Sequence, residues 1–237
     1  MNSTAAPKRF YKTVAVSPHD EGFAISLDGK PVNTPARQSL AVASKALADE
    51  IATEWDAQKE RIDPSSMPMT KRANTAVDRV RGREADIIAE IVNYAGSDML
   101  CYRAESPEGL VAKQIEHWDP VLAWARDELG ASFCVGTGIT HVPQQDDALD
   151  AVSKALSAHD FYVLTPLHTM TTLTGSALLP LALVRGQHDA DAVWQAAHVD
   201  EDWQISQWGE DAEAKARRAL RRMEFDGDVR FLKLLDA

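Results

Sequence analysis

Apolar residues recur at four-residue spacing through Leu47, Ile51 and Trp55, which makes one stripe of a helix that Ser44 is suited to cap, with Asp49, Glu50, Glu54 and Asp56 directed elsewhere. Beyond Arg61, the order Pro64, Met67, Pro68, Met69 predicts an extended, ordered crossing rather than helix, because proline lacks an amide proton and disfavours helix at the residue before it. Upstream, Phe10 to Val16 and Gly22 to Leu27 have strand length and strand patterning, and Asp28-Gly29 is a hairpin signal because both residues tolerate positive φ. Val32 and Leu40 to Val42 offer further short strands, so the helix bearing Trp55 covers one face of a small sheet.

From Arg83 the pattern turns helical: Glu84 to Tyr94, Leu110 to Leu129, Asp146 to Ala158, Phe161 to Val184, Ala190 to Ala197, Glu201 to Met223 and Val229 to Leu235. Only Leu100 to Arg103 and Ser132 to Val135 read as strands there. Strands and helices are therefore segregated along the chain, which excludes a doubly wound parallel sheet and predicts an α+β fold. The expected organisation is a small strand-rich N-terminal domain with a covering helix, residues 1–82, followed by a larger all-helical domain, residues 83–237.

Phe161 to Val184 contains no Asp, Glu, Lys or Arg and is long enough to cross a bilayer as a helix. Its threonines, His168, Pro166 and Pro180 point instead to the buried central helix of a bundle, with Thr174 to Ala177 small enough for a neighbour to approach closely. No membrane insertion is expected.

Composition adjusts this picture in three ways. The 237 residues are 45% hydrophobic, enough for one large or two modest cores. A net charge of -11 opposes a nucleic-acid partner, whose binding rests on basic side chains that displace counterions. Cys101 and Cys134 stand outside any CxxC or Cys/His spacing and read as buried, inert thiols of a reducing compartment. The opening MNSTAAPKRFYK has neither the apolar core of a secretory signal nor the length of a transit peptide, so a bacterial cytoplasmic location is expected.

Catalytic chemistry is sparse. Gly136-Thr137-Gly138 lacks the third glycine and the strand-to-helix setting of a nucleotide fingerprint, no phosphate loop occurs, and Ser176 has no GxSxG elbow. His188, Asp189 and Asp191, and again His198, Asp200, Glu201 and Asp202, bring imidazole near carboxylates, but without HExxH spacing they suit helix starts better than a metal. No metal and no cofactor is expected. His117, beside Glu116 and Asp119, is suited to a hydrogen-bonded helix position and, less simply, to general-base work.

Binding chemistry is richer between Asp200 and Arg222. Acids open that stretch and Lys215, Arg217, Arg218, Arg221 and Arg222 close it, which complements a helix dipole, while Trp203, Ile205 and Trp208 supply aromatic and aliphatic area of the kind that anchors interfaces. Trp118 and Trp124 in WDPVLAW read as core, with Pro120 opening a new helical segment after a kink; Leu47 and Ile51 read as core, and Trp55 as core before client contact.

DGKPVNTP (Asp28 to Pro35), EWDAQ (Glu54 to Gln58), the crossing from Pro64 to Thr70, and NTAVDRV (Asn74 to Val80) then arrive in a recognisable order, followed by YAGSDMLCYRA (Tyr94 to Ala104), LVAKQIEHWDPVLAWA (Leu110 to Ala125), TLTGSALLPLAL (Thr172 to Leu183) and WGEDAEA (Trp208 to Ala214). Over nearly its whole length the chain resembles the ATP synthase assembly chaperones that hold the unassembled α subunit of the catalytic sector. The resemblance implies a non-enzymatic protein, monomeric when free, that shields the α subunit until the β subunit displaces it. It also implies that Glu210 contacts the client, with Trp208, Trp203 and Glu213 around it. The chain departs from the mitochondrial members in having Ala214-Lys215 after Glu213, where those carry a His-Asp pair. The alternatives are a small-molecule enzyme using the His117 or His198 neighbourhood and a membrane-peripheral adaptor using Phe161 to Val184.

Overall fold

The computed structural model describes residues 7–237 and has an α+β fold, strands first and helices after. The opening Met1 to Ala6, on which part of the reading of the N-terminus rests, lies outside the described residues. Two compact units are present: the described residues through Gly82 together with Gly227–Ala237, and Arg83–Asp226.

In the first unit β1 (Val14–His19) pairs antiparallel with β2 (Gly22–Leu27), which also pairs with β3 (Lys30–Pro31) and β4 (Ala41–Val42). The turn at Asp28-Gly29 has φ of 50° and 77°, the left-handed pair a two-residue hairpin demands, and Asp28 secures it by accepting from the amides of Lys12 and Thr13. β1 begins later than the Phe10 to Val16 pattern implies, because Tyr11 turns inward: its hydroxyl donates to the Trp55 carbonyl at 2.6 Å and its ring meets the indole edge-on.

Helix α1 (Lys45–Asp56) covers β1, β2 and β4. Ser44 caps it by accepting from the Leu47 amide at 3.1 Å, and Leu47 and Ile51 are fully buried, whereas Trp55 is half-buried. Glu54 does not point to solvent as its place off the stripe predicts. It is buried, accepting at 2.7 Å from the Met69 amide and at 2.8 and 2.7 Å from the Thr70 amide and hydroxyl. Those donors open α2 (Pro68–Thr75), whose own N-cap, Met67, has no capping side chain. The proline crossing is therefore shorter than expected: Pro64–Ser66 form a 3-10 turn, and Pro68 starts a helix, where its missing amide proton costs nothing. A π-helical turn, Ala76–Val80, follows.

The second unit begins with α3 (Glu84–Ala95), and then β5 (Tyr102–Arg103) pairs in parallel with β6 (Gly136–Thr137), one residue beyond the Ser132 to Val135 expectation. Helix α4 (Glu108–Trp124) continues through Pro120 instead of restarting there, and ends in a π turn at Ala125–Leu129. Trp118 and Trp124 are buried, and the Trp118 indole N–H donates to the Ala196 carbonyl at 2.7 Å. Then come α5 (Asp146–Leu156), α6 (Phe161–Thr174), α7 (Leu178–Val184), α8 (Ala190–Ala197), α9 (Val199–Trp208) and α10 (Ala212–Leu235).

Three helical expectations change. The uncharged stretch from Phe161 is not one staff but α6 and α7, broken where Gly175 takes φ 71°. Asp98, fully buried, binds across the break, accepting from the Ser176 hydroxyl and from the amides of Ala177, Leu178 and Leu100 at 2.8–3.1 Å. Among the described residues no helix is long and apolar enough to cross a membrane. Glu201 to Met223 is likewise two helices, parted at Gly209, and Val229 to Leu235 is the continuation of α10 rather than a separate helix. The far end of α10 lies in the first unit, where Asp228 meets the Arg72 guanidinium in a buried pair at 2.7 Å, the Leu234 carbonyl accepts from Ser44, and Gly227 leaves no room for a β-carbon beside Arg72.

Candidate functional site

The corner between α9 and α10 follows from residue type. The α9 ladder ends at Gly209, whose φ of 87° with extended ψ is cheap only without a β-carbon. Asp211 then accepts from the Ala214 amide at 2.8 Å and opens α10. Trp208 and Glu210 flank the glycine. Trp208 is 79% exposed, an unusual place for an indole.

Charge is arranged tightly around that indole. Glu210 Oε2 lies 2.7 Å from Lys215 Nζ, and Arg218 Nη1 lies 2.5 Å from an Asp202 carboxylate oxygen. The Asp202 hydrogen bond, with Glu201 and Glu210 nearby, holds the Arg218 guanidinium above its ordinary pKa. A cavity of about 290 Å³ opens here, lined by Glu201, Ile205, Trp208, Glu210, Lys215 and Arg218 among others.

Of the sequence-derived candidates, Trp208 and Glu210 share this cavity. Trp203 does not: it lines a neighbouring cavity of about 410 Å³ with Lys113, His117, Gln195, Val199 and Asp202, and its ring lies so close over Gly109 that a β-carbon there would collide with it. Glu213 lines neither, standing exposed with a 2.6 Å ion pair to Arg217. Asp202 belongs to both sides, lining one cavity and holding the arginine of the other. Lys215 and Arg218 are the lining residues that sequence reasoning passed over, because as part of a basic helix end they read as dipole complement. The i to i+3 spacing of Lys215 and Arg218, one turn apart, was the available signal.

His198 is buried and stacked on Trp194 at 3.9 Å, its Nδ1 lies 2.8 Å from the Trp194 carbonyl, and burial pushes its pKa down. Among the described residues no group of three His, Cys, Asp or Glu side chains is placed to hold a metal. Cys101 is buried and its thiol is pushed up to about 12 by that burial, while Cys134 is half-buried.

A family model described as ATP12 chaperone protein matches residues 8–126. Among solved structures, Atp12 from Paracoccus denitrificans is 39% identical, covering 97% of this chain and 98% of that one with a TM-score of 0.91. A point mutant of P. denitrificans Atp12p is similar at 38% identity over the same shares, with a TM-score of 0.93. The Agrobacterium tumefaciens protein Atu1473 is 46% identical, with 97% of this chain and 86% of that chain covered and a TM-score of 0.90. The matched family model and the identity to these structures over 97% of the chain thus lead to one conclusion: the chain belongs to the ATP12 chaperone family.

Proposed function

We propose that this protein is an ATP synthase assembly chaperone that binds the free α subunit of the F-type enzyme and shields it until the β subunit takes its place, without hydrolysing nucleotide. The observation that carries the reading is Trp208, 79% exposed at the corner between α9 and α10 with Glu210 and a charged cavity beside it. Leu220 and Met223, 67% and 70% exposed on α10, add apolar area in the same unit. An unassembled subunit exposes apolar surface that otherwise packs on its neighbour and drives aggregation. A large aromatic ringed by charge supplies the central energy of a contact, and the charges set its specificity. A cover of this kind that binds less tightly than the true partner is displaced by mass action, so release needs no ATP. The chaperone works as a monomer, in the cytoplasm, and Glu210, Trp208, Trp203 and Glu213 face the client.

The test is capture from cells making the F-type enzyme, with the tagged chain as bait and the α and β subunits resolved. Recovery of the α subunit without β supports the reading. Recovery of β alone, or a micromolar ATP isotherm on the isolated chain, refutes it.

A further inference from the structure

Strand β1 is an edge strand, and its hydrogen-bonding phase is set by two observations. In an antiparallel pair, residues alternate between exchanging both main-chain bonds with the partner and pointing both groups away. His19 stands opposite Gly22 across a two-residue turn, and the Asp28 amide donates to the Thr13 carbonyl at 3.0 Å. Thr13, Ala15, Ser17 and His19 therefore address β2, while Val14, Val16 and Pro18 turn their main-chain groups outward. β3 and β4 both pair with the other side of β2, and among the described residues β1 pairs with β2 alone. Pro18 has no amide proton to offer and limits the outward donors to Val14 and Val16.

An open cleft of about 610 Å³ runs beside the start of this strand, lined by Thr13, Val14, Ala52, Thr53, Asp56 and Ala57. Its α1 wall carries short side chains. Where the strand begins, Lys8, Arg9 and Lys12 outweigh Asp28 and the cleft-lining Asp56 by one positive charge, and where it ends Asp20 and Glu21 outweigh Arg81, the ion-pair partner of Glu21 at 3.0 Å, by one negative charge.

We propose that the free edge of β1 is a client-contact surface at which an extended segment of the client adds as a further strand to the four-stranded sheet. The inference rests on the chaperone reading and deepens it. A row of outward amides and carbonyls is complemented by another extended backbone. The cleft takes alternate side chains of that segment, apolar and small to medium in size, and the charge gradient asks for an acidic residue at the Lys12 end. A second copy of this chain is disfavoured as the occupant, since two chains of net charge -11 repel.

The experiment is amide hydrogen exchange on the full chain, alone and with isolated α subunit of an F-type ATP synthase, for the parent, Val16→Pro and Val16→Thr. Pro18 already occupies the same outward phase, so Val16→Pro removes an edge amide without touching the β1–β2 ladder and should melt within ~4 °C of the parent. Fast exchange at Val14 and Val16 in the free protein, protection in the complex, and roughly five- to tenfold weaker capture by Val16→Pro, about one backbone hydrogen bond, support the proposal. Val16→Thr keeps the amide and should capture like the parent. A complex that forms without protection at Val14 and Val16, or with equal strength in Val16→Pro, overturns the edge proposal alone. Failure of the parent to hold the α subunit overturns the chaperone reading with it. Protection that grows with chaperone concentration in the absence of client assigns the edge to self-pairing and also overturns it.

Discussion

Replacing Glu210 with lysine separates contact from architecture. In the folded protein Glu210 is 37% exposed at its side chain, and its ion pair with Lys215 at 2.7 Å joins a partner that is 68% exposed. An exposed pair of this kind contributes about 0–1 kcal/mol, and setting a second lysine beside Lys215 adds a like-charge penalty of similar size. The total, on the order of 1 kcal/mol, corresponds to a melting shift of roughly 2–4 °C for a chain of this size. A buried contact across an interface is worth far more: losing a charge that the client pairs costs about 2–5 kcal/mol, thirtyfold or more in affinity. Glu210→Lys should therefore melt close to the parent and lose nearly all suppression of α-subunit aggregation, scored by light scattering at equal chaperone concentration. Lys215→Ala breaks the same ion pair and leaves the carboxylate free, so it should retain most activity. If Lys215→Ala fails as badly as Glu210→Lys, the ion pair and not client contact is what matters. An active Glu210→Lys protein refutes the assignment outright.

Trp208→Ala should leave the urea midpoint unchanged, the ring being 79% exposed, while weakening client capture at least tenfold. Trp55→Ala should do the reverse first, lowering stability by about 1–3 kcal/mol through loss of the packing of its half-buried ring on Tyr11, and a stable but inactive Trp55→Ala would move that residue to the client surface. Arg72→Met strips the buried Asp228 of its guanidinium and should cost about 3–5 kcal/mol by chemical denaturation. Burial pushes Asp98 up to about 6, above an ordinary value of 3.8, against the pull of its accepted hydrogen bonds. Its folded pKa is raised, so the stability it contributes is complete below about pH 3.8 and is lost as the pH climbs through 6, on the order of 3 kcal/mol in all. Denaturation between pH 4 and 7 should show the parent losing that much relative to Asp98→Asn, and a parallel pH dependence in the two proteins would show that Asp98 titrates normally.

What the sequence determined by itself was the set of features with a short range. The Asp28-Gly29 turn, the Ser44 cap, the Leu47–Ile51 stripe, β2 and α8 all rest on residues within a few positions of one another, and local periodicity and turn chemistry are sufficient for them. The family was readable for a related reason, since its motifs are an ordered string. Tertiary structure decided where a polar group off the pattern goes. Glu54 and Asp98 each cap a helix that begins distant in sequence, Met69–Thr70 in one case and Ala177–Leu178 in the other, and no periodicity around either acid reports a donor 15 or 79 positions away. The breaks at Gly175 and Gly209 belong to the same class: a lone glycine inside an apolar or charged run is tolerated in a helix or ends one, and here the caps from Asp98 and Asp211 settle which. The corner that presents Trp208 and Glu210 together, and divides them from Trp203, exists only because α9 stops there. Aromatic and acid content singles out the stretch from Asp200 to Arg222 as a candidate binding surface, but the direction each side chain faces is a property of backbone dihedrals at one residue, Gly209, and of the helix, α4, on which α9 is laid.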